Sequence, residues 1–480
     1  MSKRWTSLVA LATMLSGCGG GGGSGTAMTS STPTPTSTAT ATTAGASCTL
    51  ADRQAWALAQ LQEWYLFPET LPTNVNPANY GTVSDYIDAL TANARAQGRD
   101  RYFSYLTSIA SEDAYYNSGA SAGFGFRLTT DAAAQRVFVA ESFEKTPALG
   151  AGIDRGAEIT AIGANGATPR SVQSIIASEG TAGITNALGP NTAGTTRVIL
   201  WKDASGTHSI NLAKQDYSLD PVSSRYGAKI ITDNGKQVGY LNLRTFISTA
   251  DPALRQAFAQ FKTAGVTNVV IDLRYNGGGL VSISELIGDL LGAARSTSDV
   301  LDYTTFRPEK AAENTTRFFK PTADSIAPMK LAFIGTAGTA SASELTVNAQ
   351  IPYLHANAAL IGTNTYGKPV GQIALDRPAC DDRFRIIAFA TQNAARQGNY
   401  FTGLASVVEA SCQAGDDITH PLGDPAEAST RAALDFIAGK SCSRIAEAGV
   451  GTQGVSGEGK RELLTPEHPS TAQRETPGLF

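Results

Sequence analysis

Two apolar segments, each followed by a loop of small residues, constrain this chain more than any other feature. LAFIG, which begins at Leu331, breaks into TAGTASASE, and the apolar run from Ala358 to Ile361 leads into a Gly/Thr/Asn loop that ends in Lys368. An apolar run, a small-residue turn and then helix-forming residues indicate a buried strand that leads into a helix. The pattern therefore predicts two neighbouring strands whose ends present a serine and a lysine.

The flanking sequence extends this pattern into an α/β core over residues 221–446. It predicts a strand from Lys236 to Phe246, a helix with Asp251 as its N-cap, a buried strand from Asn268 to Leu273 and a helix from Ser282 to Leu291. Such βαβ repeats form a largely parallel sheet whose functional sites lie beyond the carboxyl ends of the strands. The later strand segment DRFRIIAFATQN and a last helix are expected to complete this core.

Two further regions precede the core, so the fold class is a multidomain α/β protein. Residues 48–118 are expected to form a small helical domain, since Leu58, Leu61 and Tyr65 have helical spacing and a second helix follows from about Val83 to Ala94. The next region, residues 119–220, contains short strands of the kind found in a small mixed barrel or sandwich.

The amino terminus has the pattern of an export signal. Lys3 and Arg4 precede an apolar run from Leu8 to Leu15 that is too short to span a bilayer. The sequence LSGC, ending at Cys18, resembles the lipobox of bacterial lipoproteins, which implies acylation of Cys18 and a signal peptide over residues 1–18. The glycine that follows resembles the signal for outer-membrane sorting. An ordinary signal peptide with an incidental cysteine is the alternative.

Residues 19–47 are rich in Gly, Thr, Ser and Pro and are expected to be a flexible tether. Residues 447–480 are polar and lack periodicity, and they are expected to be disordered.

Composition narrows the function classes. The chain has 38 basic and 42 acidic residues, a formal net charge of −4, so nothing in it predicts nucleic-acid binding. The 4 histidines include no pair at metal-ligand spacing. We therefore expect neither a metal nor a cofactor.

Four cysteines remain after Cys18, and an even number in an exported chain suggests disulfides. Three pairings are possible, and the sequence does not choose between them. Our guess is Cys380 with Cys412, which closes a loop, and Cys48 with Cys442, which ties the globular ends. Buried free thiols are the alternative.

The serine and the lysine could form a catalytic pair. A serine hydroxyl needs a base to take its proton, and no histidine lies near GTASASE. A buried lysine can be that base, because burial disfavours its charged form and lowers its pKa. The alternative is a surface lysine that binds an anion or nothing.

GTASASE, followed by GKPVGQ and preceded by DLRYNGGG, resembles the motifs of the C-terminal processing peptidases, also called tail-specific proteases. These are serine/lysine peptidases with an inserted PDZ domain and a ClpP/crotonase-like core, and the resemblance runs over about residues 50–440. It implies that Ser341 is the nucleophile, Lys368 the general base and Gln372 the residue that holds the base. It also implies that Glu344 supports the site and that Gly279 and Ala342 are the oxyanion donors. Ser343 is the rival nucleophile, although on a helix it should point elsewhere.

A second resemblance concerns residues 119–220. GFGF and the later PALGAGIDRGAEITAIGANG look like a PDZ domain of the bacterial protease type. The resemblance implies that Gly123, Phe124, Gly125 and Phe126 form the loop that binds a chain end, beside which the peptide adds as a strand. Ala157, where the family often has aspartate, and the two phenylalanines beside Gly125 depart from the family pattern.

The whole pattern predicts a lipid-anchored peptidase of the bacterial cell envelope, facing the periplasm from the outer membrane. Its expected partners are proteins with unstructured C-terminal tails. A tail-binding lipoprotein scaffold with little turnover is the alternative, and an α/β esterase is disfavoured because the sequence shows no triad histidine. The Ser341 to Lys368 connection looks longer than the family pattern, and Pro369 replaces a common glycine. The extra residues are expected in the loop around His355.

Overall fold

The structure is a computed structural model that describes residues 47–446 and 461–480 of the chain. The predicted signal peptide with Cys18, nearly all of the predicted tether, and residues 447–460 lie outside the described residues.

The N-terminal region is mostly helical and begins with a capped helix. Thr49 accepts a hydrogen bond from the Asp52 N–H, and Thr82 accepts one from the Asp85 N–H, so both main helices start at threonine caps. The expected second helix is interrupted at Thr91. The elements are α1 (Leu50–Trp64), α2 (Val83–Leu90), α3 (Ala92–Ala96), β1 (Tyr105–Ser108) and α4 (Ile109–Ser118).

The β-rich region, residues 119–220, contains short strands and three short helices. Its main sheet has the order β3-β4-β5-β7-β8, with antiparallel neighbours throughout. The elements are β2 (Ala120–Gly123), β3 (Phe126–Asp131), β4 (Arg136–Ser142), α5 (Pro147–Gly150), β5 (Glu158–Ala164), β6 (Arg170–Ser171), α6 (Val172–Glu179), α7 (Ala182–Leu188), β7 (Thr196–Asp203), β8 (Gly206–Ala213) and β9 (Gln215–Ser218).

The core region follows the predicted alternation of strands and helices. Its elements are β10 (Lys229–Asp233), β11 (Lys236–Asn242), α8 (Ala250–Thr263), β12 (Asn268–Asp272), α9 (Val281–Leu290), β13 (Val300–Phe306), β14 (Thr315–Phe318), β15 (Lys330–Gly335), α10 (Ala342–Asn348), α11 (Ile351–Leu354), β16 (Ala358–Gly362), β17 (Val370–Arg377), β18 (Asp382–Asn393), β19 (Ala410–Gln413) and α12 (Ala428–Ile437).

The central sheet of the core has the order β10-β11-β12-β15-β16-β19. Only the β10-β11 pair is antiparallel, so the prediction of a largely parallel sheet is confirmed. β15 and β16 are parallel neighbours, as expected for the strands that carry the serine and the lysine. Helices α8, α9 and α10 pack on one face of the sheet and α12 on the other, which is why its strands are apolar on both faces.

Two details of the core differ from the prediction. Helix α8 begins one residue before Asp251, and Thr249 is its N-cap, so Asp251 lies in the first turn, where its charge favours the helix dipole. The segment DRFRIIAFATQN does not join the parallel sheet. It forms β18 in a separate antiparallel sheet with β1, β13, β14 and β17.

The predicted helical domain packs directly against this antiparallel sheet. Leu61 and Tyr65 of the first helical segment share one hydrophobic cluster with Val370, Phe384 and Ile387. Strand β1 pairs with β18, which joins the N-terminal region to the core. These contacts place Phe103, just before β1, beside the loop that follows β16.

The expectation of disorder is wrong for residues 461–480, which we call the C-terminal segment. It contains β20 (Arg461–Leu463), paired antiparallel with β3, and α13 (Thr471–Glu475), whose Ser470 cap accepts the Gln473 N–H. Leu464, Leu479 and Phe480 are buried. The segment is ordered because it packs on the rest of the protein, a gain that its own polar composition does not reveal.

The guessed disulfide pairing is also wrong. Cys48 pairs with Cys380, with Cα atoms 5.5 Å apart, and Cys412 pairs with Cys442, with Cα atoms 5.4 Å apart. The guess failed because the start of α1 lies beside the β17-β18 turn that carries Cys380, a proximity set by tertiary packing.

Candidate active site

Ser341 lies in the turn between β15 and α10, in a strained backbone conformation. Its φ of 56° and ψ of −117° are rare for a residue with a side chain, and such strain is concentrated at functional sites. The turn is held by the Ala340 N–H, which donates to the Asn276 carbonyl at 3.1 Å, and by Thr339, whose Oγ1 donates to Leu273. A serine at the end of a buried strand is thus fixed at the start of a helix.

Lys368 lies in the loop after β16. β16 is the neighbour of β15, the strand that leads into the serine turn. Its Nζ donates a 3.0 Å hydrogen bond to Gln372 Oε1, and Gln372 Nε2 in turn donates to the Phe103 carbonyl. The amine also lies 5.1 Å from the centre of the Phe103 ring. Burial lowers the pKa of Lys368, which favours the neutral amine that a general base requires.

Glu344 connects the serine turn with the lysine loop. Its side chain is fully buried, and one oxygen accepts the Ser341 N–H at 3.1 Å and the Lys368 N–H at 2.7 Å. The other oxygen accepts the Gly367 N–H at 2.7 Å and the Thr365 hydroxyl at 2.6 Å. Burial raises the pKa of Glu344 although these four donors oppose the rise. One carboxyl group therefore fixes both backbones relative to each other.

The glycine turn Asn276–Gly279 lies against the serine turn. A Cβ on Gly278 would lie 2.8 Å from Ser341 Cβ and 3.1 Å from the Ala342 nitrogen, so only glycine allows this approach. Ala342 is the first residue of α10. Gly279, the predicted oxyanion donor, packs against the Phe246 carbonyl, and Gly278 is the glycine of this turn that lies against the serine.

The rival nucleophile Ser343 is buried and bound. Its Oγ donates to the Asn276 carbonyl at 3.0 Å, so it fastens the glycine turn to α10. Ser341 is instead the N-cap of α10 and lies outside the helix itself. The contacts thus separate the two serines, which sequence spacing alone could not do.

The predicted peptide-binding loop, Gly123–Phe126, is occupied by the chain's own Phe480. The N–H groups of Gly125 and Phe126 donate to the Phe480 carbonyl at 2.9 and 3.3 Å, and the Phe480 N–H donates to the Phe126 carbonyl at 3.0 Å. Phe124 and Phe126 are fully buried in the cluster that also contains Phe480. Gly125 has a φ of 78°, and a Cβ at this position would overlap the Thr146 side chain. The conformation of the loop itself therefore requires glycine here.

Sequence reasoning missed Gly277, Phe103 and the C-terminal segment. The Gly277 N–H donates to the Glu475 carbonyl at 2.9 Å, next to the serine turn. A cavity of about 1440 Å³ lies between this turn, Lys368 and the C-terminal segment. The available signal in the sequence was the pair of apolar residues Leu479 and Phe480 after a polar stretch.

Within residues 47–446 and 461–480, no group of three His, Cys, Asp or Glu side chains is placed to hold a metal ion. The helices of the same ranges include none that is long and apolar enough to cross a membrane.

Two models of known families match separate parts of the chain. The model of peptidase family S41 matches residues 237–392, and that of the peptidase S41 N-terminal domain matches residues 52–105. The chloroplastic C-terminal processing peptidase of Tetradesmus obliquus is 29% identical over 178 residues, which are 36% of this chain and 36% of the relative. The chloroplastic carboxyl-terminal-processing peptidase 1 of Arabidopsis thaliana is 32% identical over 163 residues, 33% of this chain and 30% of the relative.

The chain thus spans about a third of the length of the curated relatives it matches. Among solved structures, a Bacteroides fragilis protein described as an S41 protease is 23% identical, with a TM-score of 0.61, over 80% of this chain and 97% of its own. That likeness shows the fold. Over these two ranges the chain therefore matches a class of peptidases, family S41. Within that class it is similar to the C-terminal processing peptidases.

Proposed function

We propose that this protein is a serine endopeptidase that cleaves the C-terminal tails of exported proteins through a Ser341/Lys368 dyad. The observation that carries the proposal is the Glu344 carboxyl group, which binds the backbone N–H groups of both Ser341 and Lys368. A pair of reacting groups needs a fixed relative position, and a buried acceptor shared by both loops supplies it.

The chemistry would proceed through an acyl-enzyme. The neutral Lys368 amine takes the proton of the Ser341 hydroxyl as Oγ attacks the carbonyl carbon of the substrate. The lysine then gives that proton to the leaving amine, and the acyl group stays on Oγ. Lys368 next takes a proton from water as the water oxygen attacks the ester carbonyl carbon. It then gives that proton to Oγ as the C–O bond breaks, which releases the acid and restores Ser341 and the neutral lysine. Gln372, bound to Nζ at 3.0 Å, is a positioning residue in this scheme.

The developing oxyanion requires donors near Ser341. The backbone N–H groups of Ala342 and Gly279 supply them in this proposal, since Ala342 follows the serine directly and Gly279 follows Gly278, which lies against the serine. Such donors cost no reorganisation, because the turn is already fixed by Asn276, whose side chain accepts the Gly278 N–H at 2.9 Å.

Substrate recognition would use the PDZ-type groove formed by Gly123–Phe126 and the edge of β3. A substrate tail would add to this edge as a strand and place its last residue at the loop. The contacts of Phe480 support this use, because they are the contacts of an added peptide strand. In this proposal Cys18 carries a lipid anchor at the outer membrane, and the two disulfides suit an oxidising compartment such as the periplasm.

A tail-binding scaffold with little turnover is the second candidate, since the groove holds a peptide segment. The retained set of Ser341, Lys368, Gln372 and Glu344 favours the peptidase.

The two candidates are separated by assaying the full chain on an unstructured peptide with an apolar C-terminus. We expect Ser341→Ala and Lys368→Met to lower the rate by about 10³-fold or more. Lys214→Met is the matched control, because Lys214 is also a buried lysine, and Ser343→Ala tests the rival serine. Equal rates for the chain and both dyad variants would reject the dyad, and binding without cleavage would favour the scaffold.

A further inference from the structure

The C-terminal segment lies along the edge of β3 in two pieces. Arg461–Leu463 pairs with Thr129–Asp131, and the Leu464 N–H donates to the Leu128 carbonyl at 3.0 Å. Residues 465–477 then leave the strand, and pairing resumes where the Leu128 N–H donates to the Gly478 carbonyl at 2.8 Å. The two pieces together form one interrupted antiparallel strand on the edge where a substrate tail would add.

The end of this interrupted strand is anchored by an apolar side chain. Phe480 is 1% exposed and packs in the cluster of Phe124 and Phe126. Removing the surface of one aromatic side chain from water contributes roughly 2–3 kcal/mol. The segment therefore uses the loop and pocket that would otherwise accept the end of a substrate.

The part that leaves the strand, residues 465–477, reaches the candidate active site. The Glu475 carbonyl accepts the Gly277 N–H, the Glu475 side chain accepts the Tyr116 hydroxyl at 3.0 Å, and Arg474 donates to the Tyr102 carbonyl at 3.0 Å. Gly277 is the neighbour of Gly278, which lies against Ser341. The segment thus covers the glycine turn on which a scissile peptide would lie.

At two positions the absence of a side chain makes room for this segment. A Cβ on Gly123 would lie 2.7 Å from the Phe480 carbonyl carbon, and a Cβ on Gly277 would overlap the Arg474 carbonyl oxygen. Neither glycine has a positive φ, so their backbones do not require glycine. In both places the missing side chain leaves room for the backbone of a bound peptide.

The conformation over the glycine turn is not that of a substrate. Residues Thr471–Glu475 form the capped helix α13, whereas a peptide that adds to a strand edge is extended. Glu475 also brings a carboxyl group near Lys368, where its charge raises the pKa of the lysine against the effect of burial. Arg474 of the same segment has the opposite effect on the lysine pKa, so the segment acts on the cleft mainly by covering it.

From this geometry, and resting on the peptidase function proposed above, we infer that residues 461–480 are a built-in inhibitor of this protein. They occupy the PDZ-type groove through Phe480 and the Gly277 side of the Ser341/Lys368 cleft through α13. A substrate must displace them, and the competing ligand is another peptide with an apolar aromatic end.

The test compares the full chain with Phe480→Asp, which places a charge in the apolar pocket and should release the segment. Phe318→Asp is the matched control, since Phe318 is 41% exposed on β14. The substrate is a short fluorogenic peptide with both ends blocked, so that the groove is not needed. We expect Phe480→Asp to hydrolyse it about tenfold faster or more, while Phe318→Asp matches the wild type and Ser341→Ala in the Phe480→Asp background is inactive.

Hydrogen exchange is measured on the same proteins, independently of turnover. We expect residues 126–131 and 470–480 to exchange faster in Phe480→Asp than in the wild type, and a synthetic peptide of residues 470–480 to restore the inhibition. Faster exchange of the segment in Phe480→Asp without faster hydrolysis would contradict the proposed inhibition and would leave the proposed peptidase function standing. Equal exchange in both proteins would overturn the proposed inhibition whatever the activity. If the wild type loses the residues after α13 and the Ser341→Ala variant does not, the segment is a substrate, which would also contradict the proposed inhibition.

No hydrolysis by any version, with the segment released as expected, would reject the proposed peptidase function and, with it, inhibition. Exchange would then identify the segment only as a bound ligand of the groove.

Discussion

The C-terminal segment is bound in two places that hold it very differently. At β3 it makes strand hydrogen bonds on both sides of Arg127 and buries Phe480. At the glycine turn it makes one backbone hydrogen bond, from Gly277 to Glu475, and it is helical there. The first contact supplies affinity, and the second lies where the chemistry would occur.

Because of this difference, the contacts that bind the segment are not the contacts that cover the active-site cleft. Strand addition and a buried aromatic side chain hold a peptide whatever its middle sequence is. The residues over the cleft can then vary in conformation without loss of binding. We therefore expect changes at β3 to affect both places, and changes at the glycine turn to affect only the cleft.

The largest effect is expected from Arg127→Met, because Arg127 joins the two places. Its guanidinium is fully buried and donates to the Tyr275 carbonyl at 2.6 Å and the Pro477 carbonyl at 2.7 Å. Its Nε also lies 3.5 Å from the buried Glu141 carboxylate. Removing the guanidinium leaves both carbonyls without this donor and removes that ion pair. We expect a loss of about 3 kcal/mol in the free energy of unfolding, measured by calorimetry and denaturant titration.

Arg136→Met is the control for this change, because Arg136 is an exposed arginine of β4, the strand next to β3, whose ion pair with Glu158 should contribute less than about 1 kcal/mol. Equal losses for the two variants would show that Arg127 does not link the regions.

A smaller effect is expected from alanine at each of the two glycines. Gly123→Ala overlaps the Phe480 backbone, and the cost of such overpacking is about 1–3 kcal/mol. Amide exchange of residues 476–480 should therefore rise by roughly 5- to 150-fold. Gly277→Ala should speed exchange around α13 while the exchange of Leu479 and Phe480 stays protected. Release of Phe480 by Gly277→Ala would contradict the separation of the two contacts.

The smallest effect concerns the titration of Lys368. Burial lowers its pKa, and the charge of Glu475 partly reverses that shift. In Glu475→Gln the negative charge is absent, so the pKa of Lys368 should fall further and the amine should become neutral at lower pH. The measurement is a pH titration of ¹³C-labelled lysine side chains by NMR.

Lys214 is the internal control of this titration. Burial lowers its pKa to about 8, and its Nζ donates to the Gly189 carbonyl and to Asn191, away from Glu475. Its midpoint should be the same in both proteins. A Lys368 midpoint that does not move would show that Glu475 has no influence on the base.

The sequence was most informative where local pattern and tertiary role coincide. The apolar strands β12, β15 and β16 and the small-residue turns after them were predicted because buried parallel strands need continuous apolar runs and their ends need glycine. The parallel pairing of β15 with β16, which brings Ser341 and Lys368 to one edge, followed from the same pattern. The pattern alone could not choose between Ser341 and Ser343, whose contacts differ only in the folded chain.

The tertiary structure alone decided the features that depend on distant segments meeting. The pairing of Cys48 with Cys380 and the Glu344 bonds to two loops have no local signal in the sequence. The C-terminal segment is the clearest case. Its composition predicts disorder, because it cannot bury apolar surface by itself. It is ordered because β3, the hydrophobic cluster that contains Phe124, and Gly277 provide the partners that its own residues lack.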